Sequence, residues 1–251
     1  MSPDRIRLSH EALIAAIGDS WPPAQVDAAV QLLANSEGKF PAGVRKLPGD
    51  LVSAVQRERL LAAMLKAVAE IGYRDVNVQD VLDRAGVSRP TFYEHFSNKE
   101  DCFLAAFDAT AVRLRAGVAA AADEGGDNWR DRLRFGLRAL LRFAVEQPDA
   151  ARALIVEARG ASPAAVLRRD ALLEHFGARI DGKARELVPG ADGSAIKAAG
   201  VVGGIETLLY SRINKGQTED LESLLPSLMY FVVLPYEGHE VASEQMAVAA
   251  G

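Results

Sequence analysis

The chain has 251 residues, 49% of them apolar, enough to enclose a real core. Its net charge of -5 argues against coating nucleic acid through bulk electrostatics, and a single cysteine, Cys102, excludes an internal disulfide. No cluster of Cys, His and acidic residues has metal-ligand spacing, no cofactor motif is present, and no apolar run resembles a secretory signal or nears the roughly 18 residues of a membrane helix. The expected setting is therefore cytoplasmic, with no membrane partner.

In chain order, residues 18–23 and 35–49 are punctuated by Gly and Pro, which break helices. Between them Ala24 to Ala34 places Val26, Ala29, Val30 and Leu33 at helical spacing, in a segment too short to stand alone. Residues 1–50 thus read as an N-terminal extension, partly helical or disordered. From Leu51 onward the pattern is helical, with no sustained period-two alternation, and the expected fold class is all-α.

Leu61, Met64, Leu65, Val68 and Ile71 form one apolar stripe, and Val78, Val81, Leu82 and Ala85 a second; Gly72 and Gly86 close these helices. From Asn77 to Phe96 the chain reads as two short helices joined by Ala-Gly-Val-Ser. Gly86 can turn left-handed, Val87 can plug the corner, Ser88 can cap the next helix, and Pro90 falls in its first turn, where no N–H is needed. A helical wheel then puts Phe92 and Phe96 on one side, with Pro90 and Glu94 opposite and Thr91 and Tyr93 beside them. That is the layout of a helix-turn-helix, in which Arg89 stands where the second helix meets base edges in the major groove. Between Val44 and Lys99 there are nine Lys or Arg against seven Asp or Glu, so this stretch is about +2 within an acidic chain.

Gly72-Tyr73, Asn-Val-Gln-Asp-Val, Arg-Ala-Gly-Val-Ser, Thr-Phe-Tyr-Glu-His-Phe and Ser-Asn-Lys-Glu-Asp together resemble the DNA-binding domain of TetR-type regulators, over about Arg57 to Phe107. The resemblance implies that Arg89, Pro90 and Tyr93 approach bases and that Asn77, Ser88, Thr91, His95 and Lys99 contact the DNA backbone. It further implies a homodimer on double-stranded palindromic operator DNA, a repressor released by a small apolar or amphipathic effector, with an activator of the same fold, or a helical interaction module or enzyme without DNA binding, as the alternatives. Leu82 stands where such motifs usually have Ala, and Pro90 where a small residue is more common. In the lead segment, Arg45 and Lys46 leave open a minor-groove arm beside a disordered leader.

Further helices are expected at about 98–123, 128–147, 162–188, 194–214 and 218–236. Ser97 with Glu100 reads as a capping box, Pro148 as a stop, Ser162-Pro163 as a start, and Thr218 as a cap; Pro226 requires a local break. The expected organisation is an extension over 1–50, a three-helix DNA-binding domain over 51–97, and a larger helical effector-binding and dimerisation domain over 98–251. Trp129, Leu133, Leu137, Leu140 and Phe143 share an apolar surface that, with Phe176, is the candidate effector pocket. On the opposite side Arg130, Arg134, Arg138 and Arg142 recur every four residues, and acids elsewhere are expected to partner them. Gly200, Gly203 and Gly204 imply close helix packing. In TetR-like proteins the last two helices form the dimer interface, which maps the two glycine-rich and leucine-rich helices here to that role, with Gly200, Gly203, Gly204, Leu221, Leu225, Leu228 and Val232 as its residues. Cys102 reads as a buried apolar residue, and His10, His175 and His239 as structural or exposed. No nucleophile motif or phosphate loop is present, and Gly200 to Gly204 lacks the strand a dinucleotide site needs, so no enzymatic activity is expected.

Overall fold

The computed structural model describes residues 48–190 and 194–250. The expected helix over Ala24 to Ala34, His10, and the basic pair Arg45 and Lys46 lie outside them. Among the described residues the fold is all-α, with helices and no strand. Two compact units divide between Ala106 and Phe107.

The first unit is built on α1 (Gly49–Ile71), where Leu51 and Val55 are buried one turn apart and Leu61, Met64, Leu65 and Val68 follow at three- and four-residue spacing. Gly72, at φ 79°, ends it and donates its N–H to the Val68 carbonyl at 3.0 Å. Asn77 starts α2 (Val78–Ala85): its Oδ1 accepts from the amides of Gln79 and Asp80, and Asp80 Oδ2 accepts from the Asn77 amide at 2.8 Å. Gly86, left-handed at φ 64°, closes α2 as expected. Ser88 then caps α3 (Arg89–His95) by accepting from the Thr91 amide at 3.2 Å, with Pro90 in the first turn.

α4 (Lys99–Asp123) starts one residue away from the expected box. Asn98 Oδ1 accepts from the Asp101 amide, and Asp101 Oδ2 accepts from the Ser97 amide, both at 2.9 Å. Asn is as good a cap as Ser, and its choice moves the reciprocal acid from Glu100 to Asp101. The division between the units falls inside α4, whose first turns put Cys102 and Phe103 in the first core. Phe103 packs its ring 4.8 Å from Tyr73. Burial pushes the Cys102 thiol pKa up, which keeps it protonated and unreactive.

The second unit contains the rest of α4, then α5 (Trp129–Glu146), α6 (Pro148–Arg152), a π-helical stretch (Ala153–Glu157), α7 (Ala158–Ala161), α8 (Pro163–Leu187), α9 (Ala195–Asn214), a 3₁₀ turn (Leu221–Leu224) and α10 (Leu225–Ala250). Asn128 and Ser162 cap α5 and α8 through their side chains. Helical structure over 148–161 is absent from the sequence expectations, because Pro148 reads as a stop and in fact opens a new helix at its first turn.

The last helix also departs from the expected 218–236. Leu221–Leu224 is 3₁₀, so Pro226 falls in the first turn of the α-helix that follows, where it removes no bond. The helix then extends well past 236 but breaks at Gly238, whose φ of 84° no L side chain adopts easily. After the break the chain turns back along α5: from Glu222 to Glu237 its contacts step from Arg142 to Arg130, but Gln245 returns to Arg134.

The arginine row of α5 finds its partners on these returning segments. Arg142 pairs with Glu222 at 3.5 Å, Arg130 with Glu237 at 2.6 Å, and Arg134 with Asp131 while donating to Gln245. Arg138 makes no ion pair among the described residues. Like charges four apart are tolerated because acids and an amide from α10 and the 3₁₀ turn interleave with them.

Candidate functional site

The geometry of α2 and α3 decides which side chains the first unit presents. Phe92 is fully buried and Phe96 is 3% exposed, 5.8 Å apart between ring centres, so one side of α3 is anchored inward. Tyr93, on the next position of the wheel, is 51% exposed, and Ser88, Arg89 and Pro90 are exposed at the N-terminal end. Arg59, almost wholly buried in α1, donates from Nε to the Ala85 carbonyl at 2.8 Å, so the end of α2 is held from below. Arg84 pairs with Glu70 at 2.6 Å and ties the same helix to α1.

The sequence-expected contact residues do not all present free groups. Arg89 Nη2 donates to Gln79 Oε1 at 2.8 Å, with no bond from Nε or Nη1 to any other of the described residues. Thr91 and Ser88 share a hydroxyl contact at 2.8 Å, and Asn77 is engaged as the cap of α2. Lys99 Nζ donates to the carbonyls of Tyr73, Arg74 and Val76 and lies 4.7 Å from the centre of the Tyr73 ring. His95 is half-buried with Nε2 unpartnered, and its pKa is pushed below the ordinary imidazole value by burial and then by the Arg57 charge, against the opposing effect of Glu94.

Within the second unit a cavity of about 140 Å³ lies along α5. Trp129, Leu133, Leu137, Leu140 and Phe176 line it together. Phe143 does not: the cavity ends at Leu140, about one turn short of it, and Phe143 is buried in the packing instead. Leu154 and Ile155 reach the wall from the π-helical stretch, a geometry that often marks functional positions. The wall also carries Arg132, Arg169, Arg179, Lys183 and Glu206. Glu206 is 6% exposed and accepts from Arg159 and from Arg169, so its buried charge is fully partnered.

Comparison with known protein families matches residues 60–106 to the bacterial regulatory proteins of the tetR family. The matched segment runs from the second half of α1 through α2 and α3 into α4. The HTH-type transcriptional activator FasR of Mycolicibacterium smegmatis is 35% identical over 105 residues, covering 42% of this chain and 48% of that protein. The chain spans about half the length of the curated relatives it matches. A TetR-like transcriptional regulator from Rhodococcus sp. RHA1 superposes with a TM-score of 0.62 at 20% identity, over 76% of this chain and 98% of that one. The regulator FadR from Bacillus subtilis, solved in complex with stearoyl-CoA, gives 0.59 at 18% identity, over 72% and 98%. At these identities the likeness is one of fold.

The leucine stripe of the 3₁₀ turn and α10 needs correction as an interface. Leu221, Leu225, Leu228 and Val232 are 0 to 5% exposed within the single chain and form its core. Periodicity reveals an apolar stripe but not whether α5 or a second subunit covers it. Gly200 and Gly203 do face open space, whereas a Cβ on Gly204 would lie 2.6 Å from the tip of the Phe231 ring. Ile196 and Phe231, unremarked in the sequence, are 85% and 41% exposed beside them. Gln79 and Arg59 were equally silent, since their roles depend on partners 10 and 26 residues away. Among the described residues no helix is long and apolar enough to cross a membrane.

Proposed function

We propose that this chain is a DNA-binding transcriptional regulator that works as a homodimer in the cytoplasm. The observation that carries the reading is the split character of α3: aromatic residues anchored inward at Phe92 and Phe96, and Ser88, Arg89, Pro90 and Tyr93 exposed on a short rod that a major groove can admit. Arg89, Pro90 and Tyr93 are its base-facing residues, and Ser88, Thr91 and His95 lie beside the phosphates. Asn77 and Lys99, whose polar groups are engaged in capping and in holding the loop before α2, meet the backbone only through what those contacts leave over.

A twofold dimer reads a palindromic operator. Its interface is assigned to the open face of α9 at Ile196, Gly200 and Gly203 with Phe231 of α10, since an exposed apolar strip rimmed by small residues lets two helices approach closely. The cavity along α5 is the effector site, for an apolar or amphipathic small molecule, as the stearoyl-CoA complex of the fold relative illustrates. Effector binding favours one spacing of the two recognition helices over another and releases the operator, which makes the chain a repressor.

The test is a footprint on genomic fragments with the full chain. Protection of an inverted repeat that survives competitor DNA is expected. Binding that is salt-sensitive and blind to sequence would remove the operator claim.

A further inference from the structure

The cavity along α5 is electrically lopsided. Between Trp129 and Leu140 it runs about 16 Å at the helical rise. The C-terminal end of α8 meets the start of α5, where Leu187 and Val188 gather with Trp129 and Arg130, so Arg179 and Lys183 share the Trp129 end with Arg132, while Arg169 lies toward the Leu140 end with Glu206. At the Leu140 end the charges are matched: Arg159 and Arg169 embrace Glu206, and Arg169 also pairs with Asp170 at 2.7 Å.

At the Trp129 end they are not. Arg132 pairs with Asp123 and Lys183 with Glu186, both acids largely exposed to water, and Arg179 makes no ion pair among the described residues. Its charge, after burial and together with that of Arg115, pushes the neighbouring His175 below the ordinary imidazole pKa. Trp129 is 3% exposed and its indole N–H is buried without an acceptor among the described residues. The Tyr236 ring packs edge-on to it at 5.2 Å, outside the cavity wall, where it feels the charge of Asp181. A buried donor left unpaired is unfavourable by about 1–3 kcal/mol, so the Trp129 indole on the cavity wall is a donor that an acceptor would satisfy.

We infer that the cavity takes a single-tailed amphiphile with an anionic head, the head held by Arg179, Lys183 and Arg132 beside the Trp129 indole, the tail laid along Leu133 and Leu137 toward Leu140 and Leu209. This rests on the reading of the cavity as the effector site. Leu133, Leu137, Leu140 and Leu209 give the stretch between the two charged ends an apolar lining of the kind an alkyl chain needs. A neutral alcohol would leave Arg179 without a counter-charge, and a cationic head would be repelled.

The experiment is calorimetric titration of the full chain with dodecanoate, dodecanoyl-CoA, dodecanol and dodecyltrimethylammonium, each below its micelle concentration. The free acid and the phosphate-bearing thioester separate the two sources of negative charge. At least one of them binds about tenfold or more tighter than dodecanol, the worth of one charge-assisted hydrogen bond, and the quaternary ammonium does not compete. Arg179→Gln, which keeps the stem on a half-exposed site, weakens that ligand about tenfold and leaves dodecanol binding unchanged. Equal binding of alcohol and acid, an unaltered affinity in Arg179→Gln, or no binding of either anion overturns the inference. A gel shift on the same preparations keeps the two readings apart. Operator binding without amphiphile binding overturns the cavity assignment alone, and amphiphile binding without any operator binding supports the assignment while overturning the regulator.

Discussion

Gln79 Oε1 accepts a hydrogen bond from Arg89 Nη2 at 2.8 Å, while Gln79 Nε2 donates to Asp83 Oδ1, also at 2.8 Å. A residue of α2 thus orients the guanidinium that is proposed to meet DNA, before any DNA is present. Arg89→Ala is expected to weaken operator binding by roughly 1–3 kcal/mol and to relax discrimination at one base pair. Gln79→Ala should weaken it by less, about 1 kcal/mol, because the arginine must then be ordered on binding. In the double variant the Gln79 effect should vanish; a binding titration in which the two losses simply add would show that Gln79 acts on its own.

The turn between α2 and α3 was readable residue by residue, since Gly86, Ser88 and Pro90 each have one dominant reason to stand where they do. The cap of α4 slipped by one because Ser97 and Asn98 are equivalent cappers, and only the reach of Asp101 decides between them. What failed were inferences that need a second surface. Leu225, Leu228 and Val232 carry the same helical period whether α5 or another subunit covers them, and Phe143 looks like its cavity-lining neighbours until the end of the cavity is known. The charged rim was legible only in part: Arg179 and Lys183 lie four apart on the helix that also bears Phe176 and Ile180, but nothing local says that Arg132 meets them.

His95 gives the first unit an acid sensitivity of known sign. Its folded pKa is depressed, by burial first and by Arg57 next, so the folded state binds its proton less readily than the unfolded chain. The stability it contributes is complete above the unfolded value of about 6.5 and is lost as pH falls toward and through the folded value. Urea unfolding at pH 7 and pH 5 should therefore show a loss at pH 5 that His95→Gln reduces. An unchanged difference in the variant would locate the acid sensitivity elsewhere.

The segment after Gly238 is secured by the arginine row. Arg130 forks onto Glu237, with its Nε and Nη2 donating at 2.6 to 3.1 Å, and Glu237 is only 11% exposed. Arg130 itself is partly open to water, so solvent screens the pair and a coupling of about 1 kcal/mol is expected in a double-mutant cycle with Arg130→Gln and Glu237→Gln. Raising the salt concentration should shrink it. Limited proteolysis should cut sooner near Gly238 in either single variant; identical digestion of variant and parent would mean that the buried Ala242 and the Arg134 to Gln245 contact suffice.

Gly204 separates the needs of the subunit from those of the assembly. A Cβ there would lie 2.6 Å from the tip of the Phe231 ring, which is 41% exposed and free to swing outward. Gly204→Ala should therefore lower the stability of the isolated subunit by well under 1 kcal/mol, with the helix-propensity gain of losing a glycine offsetting part of the displacement. The displaced ring, however, would protrude from the face assigned to the second copy, beside Gly200 and Gly203, where nothing within 4 Å occupies the space now. Two flat helices held apart by one phenyl ring lose most of their contact, since dispersion falls off within about an ångström of separation. Sedimentation should then show the variant dissociating at concentrations where the parent is dimeric, with unchanged helical content, and half-site binding replacing the full footprint. A variant that stays dimeric and footprints normally would place the subunit contact away from Phe231.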